Sequence, residues 1–130
     1  YSAKMFAEYP IKEKLIGVGP DAYASYTYLH YADEVSVVWG SSVLTNAHNE
    51  WFNIMINEGI LGLIAYGGIF VSAAVSFIKN RSKDIVLMAV AICILSYAFH
   101  NMYCYQQVMC TPVIFILIGI GASVFTDQKS

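Results

Sequence analysis

The chain has 130 residues, 58% of them hydrophobic and only 12% charged, with a net charge of −2. That balance lies outside the range of an ordinary soluble domain, and no Lys/Arg cluster is large enough to hold nucleic acid. The charges are also segregated: none falls in residues 60–78 or 85–125. These features predict an integral membrane protein. The chain opens at Tyr1 without initiator Met, basic leader or cleavage signal, and so reads as the C-terminal piece of a longer protein.

Taken in chain order, residues 4–16 (KMFAEYPIKEKLI) mix charge with an apolar stripe broken by Pro10, which predicts short interfacial helix. Gly17-Val18-Gly19-Pro20-Asp21 is a turn, with Asp21 placed to cap a following helix. Residues 23–31 crowd four tyrosines with His30. An interfacial aromatic belt is the favoured reading and a sugar-stacking surface the other. Residues 33–44 read as a loop with strand character around 35–39.

The run Ala47-His48-Asn49-Glu50-Trp51, continued through Asn53 to Glu58-Gly59, gathers titratable and amide groups at the mouth of an apolar segment. Such groups are costly to bury there and mark sites. A helix starting near Asn46 or Ala47, capped by Asn46, would put Glu50, Asn53 and Asn57 on one face, with Asn49 beside them. His48 would then lie in the first turn, where the helix dipole favours a neutral imidazole able to accept a proton. A histidine that merely caps the helix or sits at the interface is the competing reading. Glu58 is equally a binding or catalytic carboxylate and an interfacial charge ended by Gly59.

Residues 60–78 form a first predicted span, which at about 1.5 Å per residue matches the hydrocarbon thickness of a bilayer. A second starts at Ile85 and must run on through His100 to Met102; a third covers 108–125, with Pro112 near its start. Gly62, Gly67, Gly68, Gly119 and Gly121 offer flat faces for helix packing. Lys79, Arg81 and Lys83 cluster between the first two spans and Lys129 follows the third, whereas 103–107 carry no charge. The positive-inside rule then puts 79–83 and the C-terminus in the cytoplasm and 1–58 outside.

His100-Asn101 repeats the His-Asn pair on the same outer side and reads as the polar end of a span. Cys93 belongs to the second span; Cys104 and Cys110 flank a short loop and are read either as reduced or as a pair. No metal-ligand spacing, nucleophile elbow, phosphate-binding Gly-rich loop or internal repeat is present, and no cofactor is expected.

The segment AHNEWFNIMINEGILGLIAY (47–66) resembles the central motif of the O-antigen ligase and polysaccharide polymerase superfamily of bacterial membrane glycosyltransferases. Gly17-Val18-Gly19-Pro20 with Tyr23 is similar to the family's outer-loop turn, and Thr111-Pro112-Val113-Ile114-Phe115 to the start of its last helices. The resemblance implies an all-α integral membrane fold: an extracytoplasmic loop region (1–46) with short interfacial helices, then three transmembrane helices within 47–130. It further implies a metal-independent, inverting ligase or polymerase in the bacterial cytoplasmic membrane. Such an enzyme moves a glycan from undecaprenyl diphosphate to an acceptor glycan or glycolipid on the outer face.

By that resemblance His48 carries over to the essential histidine; from their placement around it and at the mouth of the span, Asn49, Glu50, Asn53 and Glu58 are expected to bind substrate. The family's outer arginines, which grip the donor diphosphate, have no counterpart here; they are expected upstream, which would leave this piece inactive alone. A transporter or lipid-glycan flippase using Glu58, His48 and His100 as a proton path is the alternative. It would want those groups near mid-membrane, whereas here they lie at the outer ends of spans.

Overall fold

In the computed structural model, which describes residues 1–40, 44–79, 84–107 and 109–127, the protein is all-α, with no strand among the described residues. Six helices follow in order: α1 (Ser2–Glu8), α2 (Ile11–Ile16), α3 (Tyr23–Trp39), α4 (Glu50–Lys79), α5 (Ile85–His100) and α6 (Cys110–Asp127). They divide into two compact units, Tyr1–Ala65 with Tyr103–Tyr105, and Tyr66–Met102 with Gln106–Ser130.

In the first unit, Pro10 separates α1 from α2. Tyr9 precedes it and is driven to extended backbone (φ −58°, ψ 138°), since a residue before proline disfavours the α region. The Lys14 ammonium reaches back to the Ala7 carbonyl (2.8 Å) and caps the end of α1. Gly17, at φ +73°, ends α2. The 4–16 expectation therefore stands as two short helices.

The stretch 33–39 is helix rather than loop and strand: α3 kinks at Tyr31 (φ −132°, ψ 20°) and continues to Trp39. Its buried residues, Tyr23, Thr27, Tyr31 and Val35, recur at every fourth position. That stripe packs with Met5, Tyr9, Leu44 and Ile56 into the core of this unit. A five-residue stretch with three valines is too short to outweigh a four-residue packing period. Asp21 does not cap α3 through its side chain; the N-cap is Ala22. Residues 41–43 of the expected 33–44 loop lie outside the described residues.

The tyrosine-rich run is divided: part of it belongs to the core, whereas Tyr28 and His30 are exposed. Tyr23 and Tyr31 are buried, and Tyr26 lies between Tyr9 (ring centroids 4.9 Å) and His30 (4.3 Å). Desolvation raises the pKa of Tyr9, Tyr23 and Tyr26 and pushes Tyr31 up to about 12, its hydroxyl donating a hydrogen bond to the Glu8 carboxylate. The Lys4 ammonium contacts both Glu34 carboxylate oxygens at 2.7 Å and lies 5.4 Å from the Tyr31 ring centroid, fastening α1 to α3 at the surface.

In the second unit, Asp84 caps α5 by accepting the Val86 N–H (2.7 Å). Leu87, Val90, Ala91, Ile94 and Tyr97 form one buried stripe at spacings of three and four, and α5 packs on α6 along it. The Tyr97 hydroxyl hydrogen-bonds Thr111, and Asn101 donates to the Tyr66 hydroxyl (3.2 Å). Phe70 meets Tyr66, Tyr97 and Phe115 with ring centroids 5.0, 5.9 and 6.1 Å apart. Gly121 lets Phe77 approach: a Cβ there would lie 2.6 Å from the Phe77 ring.

The rest of this unit turns apolar side chains outward. Val71, Ile85, Phe99 and Ile116 are all more than three-fifths exposed. A surface helix of a soluble protein would do the reverse. Among the described residues only α4 is long and apolar enough to cross a bilayer, and 22% of its most apolar window is buried within the protein, unlike a soluble core helix. The apolar helices α5 and α6 are shorter.

Candidate functional site

The segment ahead of α4 is not helical at His48. Asn46 Oδ1 accepts the His48 N–H (3.0 Å) in an Asx turn, and His48 adopts φ +49°. Helix α4 begins at Glu50, and its cap is Asn49, whose Oδ1 accepts the Phe52 N–H (3.0 Å). The expected start at 46–47 with an Asn46 cap is thus displaced by three residues, and His48 stands outside the first turn. Asn46 forms its own local turn, so the helix has to wait for the next Asn.

His48 is solvent-exposed and held by rings. Its imidazole lies parallel to Trp39 (centroids 6.5 Å, interplanar angle 13°) and edge-on to Tyr105 (5.9 Å, 74°). Trp39 and Tyr105 are themselves 44% exposed, which makes an open aromatic cradle. A non-glycine residue in left-handed backbone costs on the order of 1–3 kcal/mol, and such residues cluster at functional sites. Nothing in the sequence pattern placed Trp39 and Tyr105 beside His48, because neither contact follows from a helical or strand period.

The polar face of α4 points inward. Glu50 is 1% exposed, and its N–H, one of the free donors at a helix start, bonds the Cys104 carbonyl (3.1 Å). Asn57 is buried and donates through Nδ2 to Asn53 Oδ1 (3.4 Å). Glu50 is therefore walled off from any surface ligand, and Asn49 is engaged as a cap. Of the five expected site residues His48 is open, Asn49, Asn53 and Glu58 are half-buried, and Glu50 is enclosed.

Glu58 stands at a break. Gly59 has φ +70° and ψ −169°, interrupting α4 and freeing carbonyls behind it. The Ile56 and Asn57 carbonyls are taken by the N–H groups of Val18 (3.1 Å) and Gly19 (2.9 Å). The two glycine sites touch: a Cβ on Gly59 would lie 2.4 Å from the Leu15 carbonyl, and one on Gly17 2.1 Å from the Asn57 carbonyl oxygen. The Gly-Val-Gly-Pro turn and the Glu-Gly step, read separately along the chain, form one interlock. An isolated glycine inside a helical pattern was the available signal. Gly62 leaves room for Glu58, whose Cβ a side chain there would meet at 2.2 Å.

In the second unit, His100 is exposed at the end of α5 and lines a groove of about 540 Å³ with Cys93, Tyr97, Met109 and Cys110, while Asn101 is fully buried. Cys93, Cys104 and Cys110 are all free thiols, so the paired reading of Cys104 and Cys110 does not hold in this structure. Among the described residues no three His, Cys, Asp or Glu side chains converge as a metal site. Comparison with protein-family models, with curated proteins and with solved structures finds no match for the chain.

Proposed function

We propose that this chain is the catalytic C-terminal part of a bacterial membrane glycosyltransferase of the O-antigen ligase and polymerase type, with His48 as general base. The observation that carries the reading is the exposed, backbone-strained imidazole in its aromatic cradle, two residues before the apolar helix α4. A strained, solvent-facing histidine contributes nothing to a core, and its ring is held for access.

In the proposed reaction a hydroxyl oxygen of the acceptor sugar attacks the anomeric carbon of the donor glycan. The new C–O bond forms as the bond to the undecaprenyl diphosphate breaks, with inversion at that carbon. The hydroxyl proton passes to a ring nitrogen of His48, and the lipid diphosphate leaves with the electron pair. Trp39 and Tyr105 hold the imidazole plane; Asn49 fixes the helix start beside it. A purified preparation of the intact protein should release undecaprenyl diphosphate from a lipid-linked glycan only when acceptor is present. Release without acceptor dependence would overturn the reading.

The same proposal has α5 and α6 crossing the bilayer with α4, in a multi-pass arrangement whose active site faces outward. Lys79 ends α4; Arg81, Lys83 and Lys129, the other charges behind that orientation, lie outside the described residues. In a variant lacking the native cysteines, Thr45→Cys should react with an impermeant thiol reagent in intact cells and Ser82→Cys should not. The reverse pattern would invert the topology and put His48 on the wrong side for lipid-linked donors assembled outside.

A further inference from the structure

The first unit holds a second concavity, a groove of about 540 Å³ lined by Lys12, Glu13, Tyr26 and His30 and by the Gly17 and Gly19 backbone. That volume falls within the ordinary range of small-ligand sites. Its walls are chemically mixed. The His30 ring packs on the Tyr26 ring, centroids 4.3 Å apart at 36°; Tyr26 is half-buried and His30 exposed, so the outer face of the imidazole is the aromatic surface that opens to solvent. Glu13 is half-buried, and its Oε2 is sequestered without a hydrogen-bond partner among the described residues. The Lys12 side chain is exposed at the edge.

We propose that this groove is a saccharide subsite. A pyranose ring has an apolar C–H face that covers an aromatic surface, and a rim of hydroxyl donors. A carboxylate only accepts hydrogen bonds, so it pairs with a hydroxyl donor. Here the outer face of His30, backed by Tyr26, covers the C–H face and Glu13 takes a hydroxyl. Lys12 donates to an oxygen at the open edge.

The floor is rigid because Val18 and Gly19 are bonded to the Ile56 and Asn57 carbonyls, immediately ahead of Glu58. The subsite is thereby tied to the same α4 segment that follows His48. It rests on the glycosyl-transfer reading above and assigns that reading a place for one of its sugar rings. An uncharged hexose suits it best, since Lys12 and Glu13 already balance each other in formal charge.

The test titrates maltose, cellobiose and N,N′-diacetylchitobiose against the intact protein in lipid nanodiscs, by calorimetry and saturation-transfer NMR. At least one should bind saturably, with saturation transfer strongest to C–H protons of one ring face. Glu13→Gln, nearly isosteric, should weaken that binding about tenfold or more, the scale of losing a charge-assisted hydrogen bond. His30→Ala, at an exposed position, should weaken it as well while leaving thermal stability unchanged.

If none of the three sugars binds, or both variants bind within about twofold of the parent, the subsite is wrong. Displacement of the sugar by methylammonium at equal concentration would make the groove a cation site instead and equally overturn it. The two proposals fail separately. Glycan transfer that persists with sugar affinity indifferent to Glu13 removes the subsite alone. Glu13-dependent sugar binding in a protein that transfers nothing removes the transferase reading alone.

Discussion

Gly59→Ala is expected to destroy the first unit rather than trim it. The left-handed, extended backbone at this position (φ +70°, ψ −169°) is a region essentially reserved for glycine, and holding alanine there costs on the order of 1–3 kcal/mol. Space makes it worse. The added Cβ would lie 2.4 Å from both the carbon and oxygen of the Leu15 carbonyl and 2.6 Å from the Gly17 nitrogen. These are backbone atoms, so no rotamer change relieves the clash.

Separating the two segments would break the Val18–Ile56 and Gly19–Asn57 hydrogen bonds, worth about 0.5–1.5 kcal/mol each. A loss of about 4 kcal/mol is a large share of typical domain stability. Gly68→Ala is the matched control: nothing lies within 4 Å of its added Cβ, so it should hold or gain about 0.5–1 kcal/mol. Thermal melting and limited proteolysis in detergent read both. Equal melting of Gly59→Ala and the parent protein would show that the interlock is not what holds α2 against α4.

Much of the helical frame was legible because charge and proline punctuate it. Pro10 splits α1 from α2, and the apolar stretches between charged residues became the second half of α4, α5 and α6. The tail of α3 was not legible: its helical signal is the Tyr23–Thr27–Tyr31–Val35 stripe, which mixes aromatic, hydroxyl and β-branched side chains and only becomes a stripe when Met5 and Tyr9 pack on it. The candidate site was half legible. Spacing correctly put Glu50, Asn53 and Asn57 on one face of α4. It could not give that face's direction, since near a bilayer polar side chains do not reliably point to water. Here they turn inward, and Glu50 is sealed.

That difference sets the expected ranking of variants in glycan transfer. In the intact protein, His48→Ala should lower transfer by about 10²–10⁴-fold, the usual worth of a general base. Its fold should survive, because the imidazole is exposed and makes only ring contacts with Trp39 and Tyr105. His48→Asn tolerates the left-handed backbone better than alanine, and should fold as well as the parent yet stay inactive, separating chemistry from strain.

Glu50→Leu should fail differently. The carboxylate is buried at the start of α4, and disturbing it should lower expression and melting temperature, with activity falling in proportion to folded protein. Glu58→Gln should keep the fold and lower transfer modestly, since the half-buried carboxylate sits over Gly62 at the helix break, with room for an isosteric amide. Measuring undecaprenyl diphosphate release per folded molecule for all four variants decides the ranking. Retained transfer in His48→Ala would reduce this histidine to a ring packed between Trp39 and Tyr105. A Glu58→Gln variant as inactive as His48→Ala would move the catalytic centre to the α4 break, with the carboxylate as base and the imidazole as its neighbour.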